Sequence, residues 1–289
     1  MLLQKRENWR KKPSFLPPAE NPQHVLIAEK THLRGTYASA PVLKSGFRAG
    51  PEIMDHHNIV ITGGTKGLGR AIAEIFASNG FDICVCARTQ ADLDAMQVEW
   101  SEKFPQQQLH TYIADLSKKA DVFHFVHFVR SHWSRLDVLV NNAGIFMPGT
   151  IVGEREGTLE TLMEVNVYSA YHLTRALLPL MLPHAQGHIF NLCSIASIAA
   201  YPNGGAYTIS KFAMLGFSKS LREEMKPCGI KVTALLPGAT WSDSWRGADF
   251  PAERLMQAGD IARMVWAAYD LSDAAVVEEM VIRPQLGDL

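Results

Sequence analysis

The fold is decided by the stretch Ile59-Val60-Ile61-Thr62-Gly63-Gly64-Thr65-Lys66-Gly67-Leu68-Gly69-Arg70, in which an apolar run leads into a turn with four glycines in seven positions. A helical pattern follows at once, because Leu68, Ile72, Ile75 and Phe76 recur on one face. The stretch therefore predicts a strand, a tight turn and the start of a helix. Glycines let backbone N–H groups approach a ligand closely, and a helix N-terminus carries a partial positive charge. Such a turn is typical of a phosphate or pyrophosphate site.

Composition limits the kind of partner that the protein can have. The chain has 289 residues, a formal net charge of -1 and 47% hydrophobic residues, which is enough for a large buried core. This charge balance gives no reason to expect nucleic acid or a membrane surface as a partner. No apolar run reaches the roughly 18 residues of a membrane helix. The four cysteines show neither disulfide nor metal spacing. We therefore expect a cytoplasmic protein without a bound metal.

Residues 1–53 differ from the rest of the chain. They carry nine Lys or Arg against four Glu and six of the 15 prolines, with little apolar periodicity. This composition predicts an N-terminal extension without a packed core, followed by a single domain over residues 54–289. Three origins of the extension remain open. The three alternatives are an addition upstream of a natural start at Met54, an organelle-targeting segment, and an arm that packs on a partner subunit.

From Asn58 onward, strand patterns alternate with helix patterns. The predicted strands cover residues 59–61, 83–87, 109–114, 136–140, 188–193, 230–236 and 276–282. The main predicted helices cover residues 89–103, 158–183, 206–226 and 258–271, and one further helix ends near Trp133. Continuous apolar strands in this alternation predict an α/β fold: a Rossmann-like, doubly wound, seven-stranded parallel sheet with helices on both faces. Ligands bind such sheets beyond the carboxyl ends of the strands.

The glycine turn also carries a family resemblance. Thr62, Gly63, Gly67 and Gly69 fill the pattern Thr-Gly-x-x-x-Gly-x-Gly, and over residues 58–283 the chain resembles the short-chain dehydrogenase/reductase family. The resemblance implies an oxidoreductase that binds a nicotinamide cofactor at this turn. It assigns cofactor contacts in the turn to Thr62, Gly63, Thr65, Lys66, Gly67, Leu68 and Gly69.

The end of the second predicted strand bears on which nicotinamide cofactor is used. An acidic residue there would accept hydrogen bonds from the adenosine ribose and repel a 2′-phosphate. This chain has Ala87 and then Arg88, with Lys66 inside the glycine turn. Two cations favour a 2′-phosphate through charge-assisted hydrogen bonds, so we expect NADP(H). The alternative is that both cations are solvated surface charges.

The resemblance assigns further cofactor contacts to residues that follow later strands: Asp115, Leu116, Asn142, Ala143, Gly144, Pro237, Gly238 and Ser242. Asp115 matches the position that contacts the adenine ring, and it is also a candidate N-cap for the next helix. Ser242 stands where the family often has threonine, so a hydroxyl is retained beside the expected carboxamide.

The candidate catalytic residues are Asn166, Ser194, Tyr207 and Lys211. Tyr207 and Lys211 are four residues apart and therefore share one helix face. Ser194 ends the fifth predicted strand, and Asn166 lies in the preceding helix. Together they match the family's catalytic set in order and approximate spacing.

The expected roles follow from carbonyl chemistry and from the resemblance. Reduction of a carbonyl leaves an alkoxide that needs a proton, and a nearby ammonium favours the phenolate form of a tyrosine. Tyr207 is then the general acid in reduction and the general base in oxidation. Lys211 also reaches the nicotinamide ribose, and Ser194 positions the substrate oxygen. By resemblance, Asn166 holds a water that links Lys211 to solvent.

The expected substrate is a small-molecule ketone, aldehyde or alcohol. Phe146, Met147, Tyr201, Trp241 and Trp245 are candidates for the apolar wall of its pocket, or else for packing a short lid onto the core. A non-catalytic NADPH sensor is the alternative function, although a sensor has no need of a proton path.

We also expect a homodimer or homotetramer. The last predicted strand lies at the edge of the sheet, where unpaired backbone groups invite a neighbour. The two long predicted helices are apolar on more than one face, with Leu173, Ala176, Leu177 and Leu180 in one and Phe212, Leu215, Gly216 and Phe217 in the other. A monomer would expose much of this surface.

Overall fold

Seven parallel strands form one sheet in the computed structural model, which describes residues 57–241, 251 and 254–287. The strands are β1 (Asn58–Thr62), β2 (Asp82–Ala87), β3 (Leu109–Ile113), β4 (Val138–Asn141), β5 (Gly187–Leu192), β6 (Ile230–Pro237) and β7 (Glu279–Ile282). Their order is β3-β2-β1-β4-β5-β6-β7, and every neighbouring pair is parallel. The strand order therefore reverses between β1 and β4. The predicted fold class is confirmed.

Helices connect the strands and cover both faces of the sheet. They are α1 (Gly67–Ser78), α2 (Gln90–Lys103), α3 (Lys119–His132), α4 (Thr158–Met163), α5 (Ser169–Leu177), α6 (Gly205–Met225) and α7 (Ala258–Tyr269). Ile59 and Ile61 of β1 belong to the core cluster on the side of α1, α2 and α7. Val60 between them belongs to the cluster on the side of α3, α5 and α6. Because both faces are buried, the strands read as continuous apolar runs rather than as alternating patterns.

One predicted helix differs from the structure. The segment predicted as a single helix over residues 158–183 consists of α4, a π-helical segment Glu164–Tyr168, α5, and two 3-10 turns, Leu178–Leu180 and Leu182–His184. Each 3-10 turn has a proline near its start, Pro179 or Pro183, and proline cannot donate the backbone hydrogen bond that a continuing α-helix needs. The other predicted boundaries agree with the structure to within about three residues.

Among the described residues, one histidine is buried in the core: His188, at the second position of β5. It is 1% exposed and stacks on Phe190 with ring centroids 3.9 Å apart. Its Nε2 lies 2.8 Å from the Thr233 hydroxyl, whereas Nδ1 has no partner among the described residues. Burial disfavours the charged ring and lowers the pKa of His188 to about 3. The ring is therefore neutral at physiological pH.

Several predictions fall on residues that the structure does not describe. The extension over residues 1–53, Ser242 and Trp245 lie outside the described residues. Within the described part of the chain, no helix has the length and apolar character needed to cross a membrane.

Candidate active site

The glycine turn after β1 brings backbone close to backbone. Gly63 and Gly67 have φ angles of +64° and +54°, which residues with a Cβ rarely adopt. A Cβ on Gly69 would stand 2.4 Å from the Gly63 carbonyl oxygen, so a side chain would displace the first turn of α1. Within the described residues, no side chain caps the N-terminus of α1.

A pair of side chains ties the end of β1 to the end of β4. The Thr62 hydroxyl accepts hydrogen bonds from the backbone N–H groups of Asn142 (3.0 Å) and Ala143 (2.9 Å). In return, Asn142 Nδ2 donates to the carbonyls of Thr62 (2.8 Å) and Gly63 (3.0 Å). These bonds span the place where the strand order reverses. The Thr62 hydroxyl and the Asn142 amide thus fix the two edges of the crevice between the strands.

The two cations beyond β1 and β2 have different surroundings. Lys66 is exposed, and its Nζ forms an ion pair of 2.8 Å with Asp92 Oδ2 at the start of α2. Arg88 is also exposed and has no ion-pair partner in the described part of the chain. Both line a cavity of about 280 Å³ together with Thr65, Asp115 and Leu116. Both cations singled out in the sequence therefore face one cavity, whereas the carboxylate that pairs with Lys66 was not anticipated.

Asp115 does not cap the following helix. The N-cap of α3 is Lys118, and Asp115 Oδ1 instead accepts hydrogen bonds from the Ser117 hydroxyl (2.8 Å) and backbone N–H (3.2 Å). Hydrogen bonds from the Ser117 hydroxyl and backbone N–H, and then the Lys118 ammonium, lower the pKa of the Asp115 carboxyl. The capping alternative is therefore wrong, and the carboxylate belongs to the wall of the smaller cavity.

Ser194 is held at the end of β5 by its own turn. Its Oγ accepts a hydrogen bond of 3.1 Å from the backbone N–H of Ala196, and the Ser197 hydroxyl accepts one of 3.1 Å from the Ser194 N–H. This reciprocal cap starts a 3-10 turn, Ile195–Ser197. Because Oγ is an acceptor in the cap, its proton remains available to donate into the cavity.

Tyr207 and Lys211 lie on one face of α6. Lys211 Nζ is 5.8 Å from the Tyr207 ring centroid and donates a 2.9 Å hydrogen bond to the Leu192 carbonyl. The Phe146 ring packs edge-on against Tyr207 with centroids 4.8 Å apart. The lysine is 6% exposed and the tyrosine is half-buried. The phenol is thus held between an aromatic ring and a buried ammonium.

Asn166 lies in the π-helical segment and is 2% exposed. Its Nδ2 donates to the Ile145 carbonyl (3.0 Å) and the Ser210 hydroxyl (3.0 Å), and its Oδ1 accepts from the Ile145 N–H (2.8 Å). The side chain therefore fastens the loop segment that follows Gly144 to α6. Segments of π-helix inside α-helices are frequent at functional sites.

A cavity of about 1270 Å³ joins the glycine turn to Ser194, Tyr207 and Lys211. Pro237 and Gly238 also line it, as do Asn142, Ala143 and Gly144. Of the five candidate wall residues, Phe146 and Tyr201 line this cavity, whereas Met147 and Trp241 do not. Ile198, which the sequence did not single out, completes the apolar side. Asn166 is buried behind the wall rather than lining it.

Three groups around Tyr207 and Ser194 were missed from the sequence. They are the Leu192 carbonyl that anchors Lys211, the Ser197 hydroxyl that caps Ser194, and the Glu154 carboxylate. Glu154 Oε1 accepts a 2.8 Å hydrogen bond from the backbone N–H of Ala206, one residue before Tyr207. A backbone carbonyl and a loop carboxylate leave no periodic or motif signal, so no pattern in the sequence identifies them.

Comparison with known proteins agrees with this architecture. The short chain dehydrogenase family matches residues 57–249, and the chain belongs to this family of oxidoreductases. A sepiapterin reductase of Chlorobaculum tepidum is 33% identical over 241 residues, which cover 81% of this chain and 98% of that protein.

Solved structures support the same assignment. A metagenomic short-chain oxidoreductase in complex with NADP is 29% identical with a TM-score of 0.69, covering 79% of this chain and 97% of that one. An alcohol dehydrogenase from the archaeon Thermococcus sibiricus, complexed with 5-hydroxy-NADP, is 26% identical with a TM-score of 0.73, covering 80% and 97%.

Proposed function

We propose that the protein is an NADP(H)-dependent oxidoreductase that interconverts a ketone or aldehyde with an alcohol. One observation carries this proposal: Ser194, Tyr207 and Lys211 line the same cavity as the glycine turn of β1. A proton donor, a hydroxyl and a dinucleotide-type turn are the groups that such a reaction needs in one place.

The residues present fit a dinucleotide. Gly63, Gly67 and Gly69 leave the N-terminus of α1 open for a pyrophosphate. At the other end, a Cβ on Gly144 would stand 3.2 Å from Asn166 Oδ1 and 3.6 Å from Lys211 Nζ. The absence of a side chain at Gly144 therefore leaves space in the cavity beside these two groups. Pro237 and Gly238 would hold the nicotinamide end from β6.

The proposed preference for NADP(H) rests on charge. Arg88 and Lys66 line the cavity beside the end of β2, and Ala87 supplies no carboxylate there. The lining of the large cavity includes Lys66, Arg88, Lys211 and Arg283 but no aspartate or glutamate among the described residues. A polyanionic cofactor suits this lining, and the metagenomic relative was crystallised with NADP.

Tyr207 is proposed to move the proton. When bound, the nicotinamide supplies or accepts the hydride. Ser194 would donate a hydrogen bond to the substrate oxygen, and Tyr207 would donate its phenolic proton to that oxygen as negative charge develops. The buried Lys211 ammonium stabilises the resulting phenolate, because opposite charges attract more strongly where water is excluded.

Reprotonation of Tyr207 would proceed through Lys211 and a water near Asn166. Both amide hydrogens of Asn166 are already used by Ile145 and Ser210. Such a water would therefore donate to the Asn166 carboxamide oxygen rather than accept from the amide.

A carbonyl panel with NADPH tests the proposed activity, and sepiapterin is its first compound because a sepiapterin reductase is among the relatives. Small ketones, 3-oxoacyl thioesters and cyclic ketones complete the panel, since Phe146, Ile198 and Tyr201 form an apolar wall. We expect NADPH oxidation with at least one compound. Tight NADPH binding without turnover of any compound would instead favour the sensor.

Fluorescence titration tests the cofactor preference. We expect NADPH to bind more tightly than NADH at fixed salt. Arg88→Asp should erase or reverse that difference, because it replaces the proposed phosphate ligand with a carboxylate, which repels the phosphate. Equal or tighter binding of NADH by the unaltered protein would contradict this part of the proposal.

A further inference from the structure

An ion pair crosses the region where a cofactor 2′-phosphate would bind. Lys66 Nζ, from the glycine turn, lies 2.8 Å from Asp92 Oδ2 in the first turn of α2. The Lys66 side chain is 55% exposed and the Asp92 side chain 27%. Both residues line the cavity of about 280 Å³ that Arg88 also lines. A negative charge therefore stands among the cations that the proposed function assigns to the phosphate.

Among the residues that the structure describes, Asp92 pairs with Lys66 and caps no helix. It is not the N-cap of α2, which is Thr89, and the helix has no side-chain cap hydrogen bond. A carboxylate in a first turn is stabilised by the partial positive charge of the helix N-terminus. The first turn of α2 is therefore a favourable place for the Asp92 carboxylate beside the cavity.

The two cations consequently differ in how they can meet a phosphate. Arg88 is exposed and makes no ion pair within the described residues, so its guanidinium can turn to an incoming anion. The Lys66 ammonium is shared with Asp92. A phosphate that approaches Lys66 must break or share this ion pair, and it also meets the like charge of the carboxylate.

We propose that Asp92 limits the selectivity for NADPH over NADH by competing with the 2′-phosphate for the Lys66 ammonium. The inference rests on the proposed function, because it presupposes that NADP(H) occupies this cavity. NADH lacks the 2′-phosphate, so its binding is much less sensitive to Asp92. The ion pair thus determines how far NADPH is preferred, while Arg88 supplies the preference itself.

The test is a titration of NADPH and NADH into the full-length protein and its Asp92→Asn variant, followed by cofactor fluorescence. We expect Asp92→Asn to tighten NADPH binding by about 5-fold to 20-fold and to change NADH binding by less than about 3-fold, because an isosteric amide removes the charge alone. Asp94→Asn is the matched control. It removes the same charge from the same helix, but Asp94 is exposed, bonds to Gln90 and lines neither cavity.

A second pair of variants separates the possible outcomes. In a Lys66→Ala background, Asp92→Asn should tighten NADPH binding by less than half as much, since the ammonium is then gone. If Arg88→Ala weakens NADPH binding but Asp92→Asn does not tighten it, or if Asp94→Asn tightens it equally, the role of Asp92 is refuted and the cofactor proposal stands. If Arg88→Ala leaves NADPH binding unchanged, the cofactor proposal and this inference fall together.

Discussion

Tyr207 is the residue on which the proposed reaction depends most directly. We expect Tyr207→Phe to reduce kcat by at least about 100-fold, the order that general acid catalysis contributes, with cofactor affinity little changed. The ring contact with Phe146 is retained in this variant, so the loss would reflect the missing proton. Steady-state kinetics and a cofactor titration measure the two effects separately.

Tyr201→Phe is the control for that experiment. Tyr201 also presents a phenol to the large cavity, and burial raises the pKa of this phenol to about 12. We expect kcat to change little in Tyr201→Phe, since the proposed proton comes from Tyr207. Equal losses in both variants would show that the chemistry does not depend on Tyr207 alone.

At the residue scale, motifs are the part of the candidate site that the sequence can indicate. Ser194, Tyr207, Lys211 and two glycines of the turn, Gly63 and Gly67, line one cavity, and each of them belongs to a motif that the sequence displays. Asp92 was not anticipated, because its importance arises only from the distance to Lys66 across 26 residues of chain. Partners that meet through space rather than along a helix or turn have no periodic signal to read.

The start of α6 is the element that positions Tyr207. The Glu154 carboxylate accepts from the Ala206 N–H, and Gly149 N donates to the Asn203 carbonyl at 3.0 Å. A Cβ on Gly205 would stand 1.9 Å from Glu154 Oε1, so the loop after β4 packs directly on the helix start. This loop and α6 therefore form one clamp around the phenol.

We expect Glu154→Ala to lower the free energy of unfolding by about 1–2 kcal/mol, the usual cost of losing a helix cap. In a chain of this length each 1 kcal/mol corresponds to a fall in Tm of roughly 2–4 °C. We also expect kcat to fall more than KM rises, because Tyr207 loses its fixed position. Glu154→Gln, which keeps an acceptor oxygen, should restore most of both losses.

Glu156→Ala serves as the control for the clamp, since Glu156 is an exposed carboxylate of the same loop. Thermal melts and steady-state kinetics compare the variants. If Glu156→Ala and Glu154→Ala change Tm and kcat equally, the contact between Glu154 and the start of α6 does not position Tyr207.

At the scale of elements, the sequence predicted the order of strands and helices but not the breaks within a helix. The alternation of apolar strands with amphipathic helices predicted the doubly wound sheet, and the structure has it. The π-helical segment at Asn166 was not predicted, because a π turn depends on one extra residue per turn and leaves the apolar periodicity nearly unchanged.

For the whole molecule, part of the surface predicted to form an oligomer is buried in the core. Leu173, Leu177 and Leu215 are 1%, 0% and 6% exposed, so they belong to the core and cannot form an interface. Apolar side chains that do remain exposed on α6 and the neighbouring π-helical segment and α5 include Phe212 (47%), Tyr168 (43%) and Tyr171 (40%). The edge strand β7 is at the sheet boundary as predicted.

We still propose a homodimer or homotetramer with closed symmetry, now through these exposed residues and the β7 edge. Light scattering should give a multiple of the 32.0 kDa chain mass, and Phe212→Glu should shift the protein toward monomer. A shortened chain that begins at Met54 should keep its assembly and activity. A monomeric full-length protein would refute the assembly, and an inactive shortened chain would show that residues 1–53 matter.

Stability should fall in mild acid because of His188. Its folded pKa of about 3 lies below the ordinary value of 6.5, so the unfolded chain binds one more proton between these limits. The contribution of His188 to the free energy of unfolding is therefore full above pH 6.5. It decreases as the pH falls toward 3, by up to about 1.4 kcal/mol per pH unit. Urea melts of His188→Gln should show a shallower decline between pH 6.5 and 4.5, and an unchanged slope would exclude His188 as the cause.

The adjacency of β1 and β4 also constrains how the chain folds. Ile59 pairs with Val138, so the centre of the sheet closes only after the intervening β2 and β3 units have been synthesised. Closing so long a loop costs entropy before the pairing returns any stabilisation, and such non-local contacts slow folding. We expect the amides of β1 that face β4 to gain hydrogen-exchange protection later in refolding than those within α1. The crevice proposed to bind the cofactor would then be among the last parts of the molecule to acquire its shape.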